Sequence, residues 1–237
     1  MGGEVSKNTK DTSYTIHPEH ELTLMEPRDP FYCTACKETG FSTGYGCSKC
    51  VVRVHQECKS PSPESSLRLK RKKHSLKFYP DMNAENGKPR FCAVCSQPVR
   101  GCGYRSSSGK NCHPSCLTLP KSIMVNSAEL RLANKMMLDC KWCGVMKRYI
   151  GKVKIRSWSY ARENCEYHVG CVKDMVIESW RNGEFVPAKE GDGAGQMHIK
   201  VDLSSRGISG NLGSKLLELA RKGTMAAMTG DPTDLLG

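Results

Sequence analysis

Eight cysteines and histidines, spaced His17-x2-His20-x12-Cys33-x2-Cys36-x10-Cys47-x2-Cys50-x4-His55-x2-Cys58, constrain this chain more than any other feature. A two-residue spacer lets both members of a pair reach one ion, and zinc takes four Cys or His donors in a tetrahedron. Four such pairs predict two structural zinc sites within residues 17–58. A segment this short cannot stand on a hydrophobic core alone. The whole chain is only 38% apolar and 7% aromatic, so that core is thin. One structural zinc site supplies about 10–16 kcal/mol, enough to fold a unit of this size.

The pattern recurs twice in reduced form. Cys92-x2-Cys95 with His113-x2-Cys116, and Cys140-x2-Cys143 with His168-x2-Cys171, keep the first and closing pairs but lack the middle pair. If neighbouring pairs shared an ion, each reduced copy would hold two half-sites. If alternate pairs share it, each copy keeps one complete site. The crossed arrangement is the economical one. It groups Cys33, Cys36, His55 and Cys58; His17, His20, Cys47 and Cys50; Cys92, Cys95, His113 and Cys116; and Cys140, Cys143, His168 and Cys171. Four zinc ions follow. Ser106 and Gly109 stand about where Cys47 and Cys50 stood, which strands His74.

The expected organisation is a flexible tail (1–14), zinc module 1 with two ions (15–60), a basic Ser/Pro linker (61–73), zinc module 2 with one ion (74–120), zinc module 3 with one ion (128–180), and a tail (181–237). Alternation predicts short strands at Val51–Val54 and Lys152–Arg156. Helical spacing follows Cys171 through Val172, Met175, Val176, Ser179 and Trp180, and an amphipathic helix is expected over about residues 212–228. The Gly-rich stretch Gly191–Gly195 reads as a flexible break between them.

No apolar signal region stands near the start, and the cysteines come as C-x2-C and H-x2-C pairs. Zinc thiolates in a reducing compartment, cytoplasm and/or nucleus, fit better than disulfides. No run approaches the 18 or more apolar residues of a membrane span. Met1-Gly2-Gly3-Glu4-Val5-Ser6 fits the N-myristoylation pattern, so Gly2 is a candidate lipidation site that would make the protein peripheral to membranes. Cys102 and Cys112 are expected as small buried hydrophobes, and Cys165 has no assigned role.

The net charge of +12 is unevenly placed. Residues 67–77 carry six basic and no acidic side chains, and residues 144–167 carry six basic against two acidic. Lys70, Arg71, Lys72 and Lys73 form one candidate binding surface. Lys152, Lys154, Arg156 and Trp158, alternating along a strand, form another. A basic face with an aromatic edge suits nucleic-acid phosphates and stacked bases, or the headgroups of an anionic membrane.

With the eight-ligand pattern, Gly103-Tyr104, Cys112-His113-Pro114-Ser115-Cys116-Leu117-Thr118-Leu119-Pro120, Trp158-Ser159-Tyr160, His168-Val169-Gly170-Cys171-Val172-Lys173-Asp174-Met175 and the closing Gly230-Asp231-Pro232-Thr233, the chain resembles the plant CHP-rich zinc-finger family. That family's module is a divergent relative of the diacylglycerol/phorbol-ester zinc domain of protein kinase C. The resemblance implies the crossed zinc topology, small antiparallel sheets and a short helix after the last ligand. The fold expected is therefore a small metal-stabilised α+β protein of three tandem cross-braced modules with a C-terminal amphipathic helix. The parent domain's isolated last cysteine is missing here, and His17 or His20 takes its place. The Cys36–Cys47 spacing is short for the diacylglycerol loop, so that lipid is not an expected ligand.

Closed four-donor sites leave no position for water or substrate, so an enzyme is not expected. The expectation is a non-enzymatic zinc-binding interaction or adaptor protein with a protein partner, by resemblance in plant stress or defence signalling. A nuclear nucleic-acid-associated regulator is the alternative. A disulfide reductase, a lipid-second-messenger sensor, and a plant-homeodomain finger using Cys92 and Cys95 with the first segment stand behind these. Against the reductase, Trp142 lies inside the Cys140–Cys143 pair rather than before it. Against the finger, Arg90 stands where a Trp is required.

Overall fold

The computed structural model describes residues 16–25, 29–41, 43–69, 72–83, 89–150, 153–155, 157–186 and 197–203. The tail with Gly2, residues Lys70, Arg71, Lys152 and Arg156, the Gly191–Gly195 stretch and the expected helix at 212–228 lie outside them. Two compact units emerge: residues 1–93 with 97–119, and residues 94–96 with 120–237. The described chain is sheet-rich, with short helices at Gln56–Lys59 and Val169–Arg181 and a 3-10 turn at Pro114–Cys116.

One antiparallel three-strand arrangement appears three times. In the first unit Thr23–Met25 pairs with Gly44–Gly46, which pairs with Arg53–His55. Further along, Lys72–Tyr79, Gly103–Arg105 and Asn111–Cys112 repeat that order. In the second unit Ala128–Ala133, Ser159–Arg162 and Cys165–His168 repeat it again. Each central strand carries a tyrosine at the same register: Tyr45 opposite Leu24, Tyr104 opposite Phe78, and Tyr160 opposite Leu132. The last two are buried, and each spends its hydroxyl on a backbone carbonyl, Ser62 for Tyr104 and Pro120 for Tyr160, both at 2.9 Å. A buried phenol needs such a partner.

The stretch expected to be a linker is instead structure. Glu64–Leu69 and Lys72–Tyr79 form a hairpin that widens the second sheet to four strands. Its period-2 pattern was hidden by the density of basic residues: Leu67 and Leu76 are buried while Ser66, Ser75 and Lys77 face solvent. The first basic cluster therefore lies on a strand as far as it is described, with Lys73 exposed. Residues placed between the second and third modules also form a strand, Ser122–Val125, joined to Ala128–Ala133 by Asn126 and Ser127. Both turn residues have positive φ, as a two-residue hairpin requires. From the expected tail, His198–Ile199 adds a parallel edge strand to this sheet, with Ile199 and Val201 buried.

Val169–Arg181 is the helix that the spacing after Cys171 predicts. It buries Val169, Val172, Met175, Val176 and Ser179, while Trp180 is partly exposed. The strand expected at Val51–Val54 starts later, at Arg53, because residues 47–52 form a metal-type turn that leaves Val51 fully outside. The expected 152–156 strand is described as Val153–Ile155, paired with Arg148–Ile150. Trp158 does not extend its face. It lies between strands, half-buried with its indole nitrogen enclosed, and its backbone N–H donates to Val94 O at 2.8 Å. No helix among the described residues is long and apolar enough to cross a membrane.

Candidate metal centres

Short C-x2-C turns position the donors, and three of them share a full hydrogen-bond pattern. The first cysteine of every pair donates its N–H to a carbonyl five residues on: Cys33 to Glu38, Cys47 to Val52, Cys92 to Gln97 and Cys140 to Val145. The next residue donates to the carbonyl two before the histidine: Thr34 to Arg53, Ala93 to Asn111 and Lys141 to Glu166. After the second cysteine the chain turns left-handed at Lys37, Ser96 and Gly144, with φ of 62°, 63° and 72°. Such φ values cost a non-Gly residue, so a common constraint must hold them. Converging both sulfurs on one point supplies it.

Among the described residues four Cys/His groups result, each with its donor atoms within 4.8 Å of one another. They are His17, His20, Cys47 and Cys50; Cys33, Cys36, His55 and Cys58; Cys92, Cys95, His113 and Cys116; and Cys140, Cys143, His168 and Cys171. Cys92 and Cys95 thus pair with His113 and Cys116, which disposes of the plant-homeodomain arrangement. The first group is half-buried throughout, whereas the second and third are fully buried.

The spacings fit zinc. Zn–S and Zn–N bonds of about 2.3 and 2.05 Å at tetrahedral angles give S···N edges of about 3.5 Å and N···N edges of about 3.3 Å. His55 Nδ1 lies 3.3 Å from Cys36 Sγ and 3.8 Å from Cys58 Sγ. His168 Nδ1 lies 3.4 and 3.7 Å from Cys143 and Cys171, and His113 Nδ1 lies 3.7 Å from Cys116. In the half-buried group His20 Nδ1 is 3.3 Å from Cys50 Sγ and 3.2 Å from His17 Nε2. No disulfide joins any of the fourteen cysteines.

Electrostatics point the same way. Hydrogen bonds from Cys36 and then Cys58 hold the Cys33 thiol far below its ordinary range, against burial. Their counterparts rise: Cys36 through Cys33, and Cys58 through Cys102 and then Cys33. In the last group burial opposes charge on His168, yet hydrogen bonds to Cys140 and Cys143 outweigh it and raise the imidazole to about 9, while Cys140 and Cys171 hold Cys143 low. A dication would let every thiol in these groups ionise.

The outer contacts were not legible in the sequence. His113 Nε2–H donates to Pro98 O at 3.1 Å, and His168 Nε2–H to Met146 O at 3.2 Å, each carbonyl three residues after the second cysteine. These bonds fix the tautomer that presents Nδ1. His55 is instead hemmed in: a Cβ on Gly40 would sit 2.9 Å from its Nε2 and 2.5 Å from the Phe31 ring. Buried Glu166 accepts the N–H groups of Met137 and Leu138 at 2.7 and 2.8 Å and so shapes the approach to Cys140. Cys102 and Cys112 are buried as expected for small hydrophobes, and Cys165 is half-buried.

Where module 1 has Cys47 and Cys50, the second sheet has a polar network. Ser106 Oγ is 3.0 Å from Ser108 Oγ, which is 3.2 Å from His74 Nδ1. His74 is therefore not stranded. Residues 15–59 match the family model of the C1 domain, the zinc-finger family to which the protein kinase C domain belongs. Comparison with curated proteins and with solved structures found no match.

Proposed function

We propose that this chain is a non-enzymatic, zinc-stabilised interaction protein of three tandem cross-braced modules, the first holding two ions and the others one each. The observation that carries this reading is that every donor group supplies four Cys or His donors and so closes its own coordination sphere. Such metal builds a scaffold and performs no chemistry. The C1 match at residues 15–59 supports the same class, because C1 domains serve as interaction modules. By resemblance to the plant CHP-rich family we place the partner among proteins of stress or defence signalling, in the cytoplasm and/or nucleus. The nucleic-acid reading is weaker, because Trp158 lies off the basic strand it was expected to edge.

Metal analysis of the purified full chain tests the scaffold, with four zinc ions expected and a value near two counting against it. Proximity labelling in plant cells tests the role. Protein neighbours retained at high salt support an adaptor. Salt-steep binding of DNA or RNA that weakens when Lys152, Lys154 and Arg156 are changed would transfer the conclusion to the regulator.

A further inference from the structure

Glu38 has two allegiances. Its backbone carbonyl accepts the Cys33 N–H and so closes the first metal turn. Its carboxylate Oε1 lies 3.4 Å from Nε2 of His113, which belongs to a different donor group. His113 is fully buried and Glu38 is only 15% exposed, so water screens this contact little. The Nε2–H donates to Pro98 O, and the Glu38 carboxylate stands 3.4 Å from the same nitrogen. His168 makes the corresponding carbonyl bond, to Met146.

The opposite connection also exists. Cys102 N–H donates to Ala35 O, inside the Cys33–Cys36 turn, at 3.0 Å. Cys102 shares a buried cluster with Cys33, Cys36 and Cys58. Gly101 approaches so closely that a Cβ there would fall 2.0 Å from Ala35 O. The Cys33–Cys36 turn and the segment that leads into Gly103–Arg105 therefore fix part of each other's surroundings.

We infer that Glu38 is a positioning residue for His113, and that metal binding by the Cys33/Cys36/His55/Cys58 and Cys92/Cys95/His113/Cys116 groups is coupled through it. This rests on the zinc reading above. A carboxylate on the far nitrogen of a ligating histidine fixes ring orientation and tautomer. Three thiolates already make such a site anionic, so orientation rather than added charge is what Glu38 contributes. Metal at Cys33 and Cys36 sets the turn that aims the carboxylate, which is how the first group reaches the second.

The test is chelator competition on the zinc-loaded full chain, followed through the imidazole nitrogen resonances of each histidine. Glu38→Ala should weaken zinc at His113 by about 10–100-fold and leave His168 unchanged. Glu38→Gln, which keeps an acceptor of the same length, should stay within about 3-fold of wild type, since losing only the charge spares the outer contact. In a Cys33→Ser, Cys36→Ser chain His113 should already be weakened, and Glu38→Ala should add nothing. Unchanged affinity at His113 in Glu38→Ala, or a Gln variant as weak as Ala, would overturn the positioning role. Full additivity with the Cys33/Cys36 pair would overturn the coupling. A wild-type chain whose His113 never binds zinc defeats the zinc reading itself, before any variant is made.

Discussion

Replacing Gly101 with alanine isolates the contact between the Cys33–Cys36 turn and the sheet that follows. An ideal Cβ at this position would lie 2.0 Å from Ala35 O and 3.0 Å from the carbonyl carbons of Ala35 and Cys36. All three are backbone atoms, so no side-chain rotation relieves the clash. The two segments must part by about 1 Å or more, since overpacking a fixed contact forces backbone shifts that cost about 1–3 kcal/mol. Separation also breaks the Cys102 N–H to Ala35 O bond, worth about 0.5–1.5 kcal/mol. The sum is roughly 2–4 kcal/mol. Tryptophan fluorescence is the wrong assay, because Trp142, Trp158 and Trp180 all belong to the other unit. Native-state amide exchange at Cys102 and Cys33 reads the contact directly, and protection there should fall by about 30- to 900-fold. Gly109→Ala is the control: φ is +76° but nothing lies within 4 Å, so only backbone strain of about 1 kcal/mol is added. Equal exchange in the two variants would refute the steric argument.

Three further outcomes follow from the same geometry. Chelator should strip the His17/His20/Cys47/Cys50 group first, since all four donors are half-buried while the Cys33 and Cys92 groups are enclosed; stopped-flow zinc release would show a fast phase that His20→Ala removes. Acid should release zinc from every group, because thiolate and imidazole must shed protons to bind and regain them as pH falls; a dye-based release titration checks the direction. Asn126 clamps the edge strand with both ends of its amide, donating to Val201 O at 2.9 Å and accepting from Val201 N at 3.0 Å. Asn126→Gly keeps the positive φ yet loses both bonds, costing about 1–3 kcal/mol and exposing the Val201 amide to exchange without disturbing the Tyr160 amide.

The donor groups were legible because ligand chemistry leaves a local signature: residue type, a two-residue spacer, and a repeat that loses its middle pair. The helix after Cys171 was legible for a similar reason, its burial following period 3.6. What escaped was non-local or masked. Glu38 looks like any surface carboxylate beside Lys37, and only the folded chain brings His113 to it. The hairpin at 64–79 was hidden because Arg68, Lys70, Arg71, Lys72 and Lys73 gave the segment the composition of a linker while Leu67 and Leu76 kept the period of a strand. Trp158 was misplaced by extrapolating alternation from Val153–Ile155 to a residue that lies in no described strand.

On the proposed zinc layout, the three central hairpins account for how a segment does without a second ion. In each, the residue opposite the ligating histidine begins the hairpin: Gly44 for His55, Ser159 for His168, and Gly103 next to the Tyr104–Cys112 pair that precedes His113. The connection beyond then differs. Residues 47–52 are held by Cys47 and Cys50. Residues 106–110 close instead through Ser106 N–H to Lys110 O, Gly109 N–H to Ser106 O and the Ser106–Ser108–His74 network. At the third hairpin only Glu163 and Asn164 separate paired strands, leaving too short a loop to need a clamp. Hydrogen bonds of about 0.5–1.5 kcal/mol each are a weak replacement for zinc at about 10–16 kcal/mol. They suffice because the second sheet gains the strand Glu64–Leu69 and the third gains Ser122–Val125 and His198–Ile199. Among the described residues the first sheet has three strands, and on the proposed layout its turn carries the extra metal. Loss of the His17 group should therefore unravel the Gly44–His55 hairpin, whereas Ser108→Ala should barely loosen the Gly103–Cys112 hairpin. Exchange at the Tyr45 and Tyr104 amides compares the two, and equal loss in both would contradict this trade between sheet width and metal.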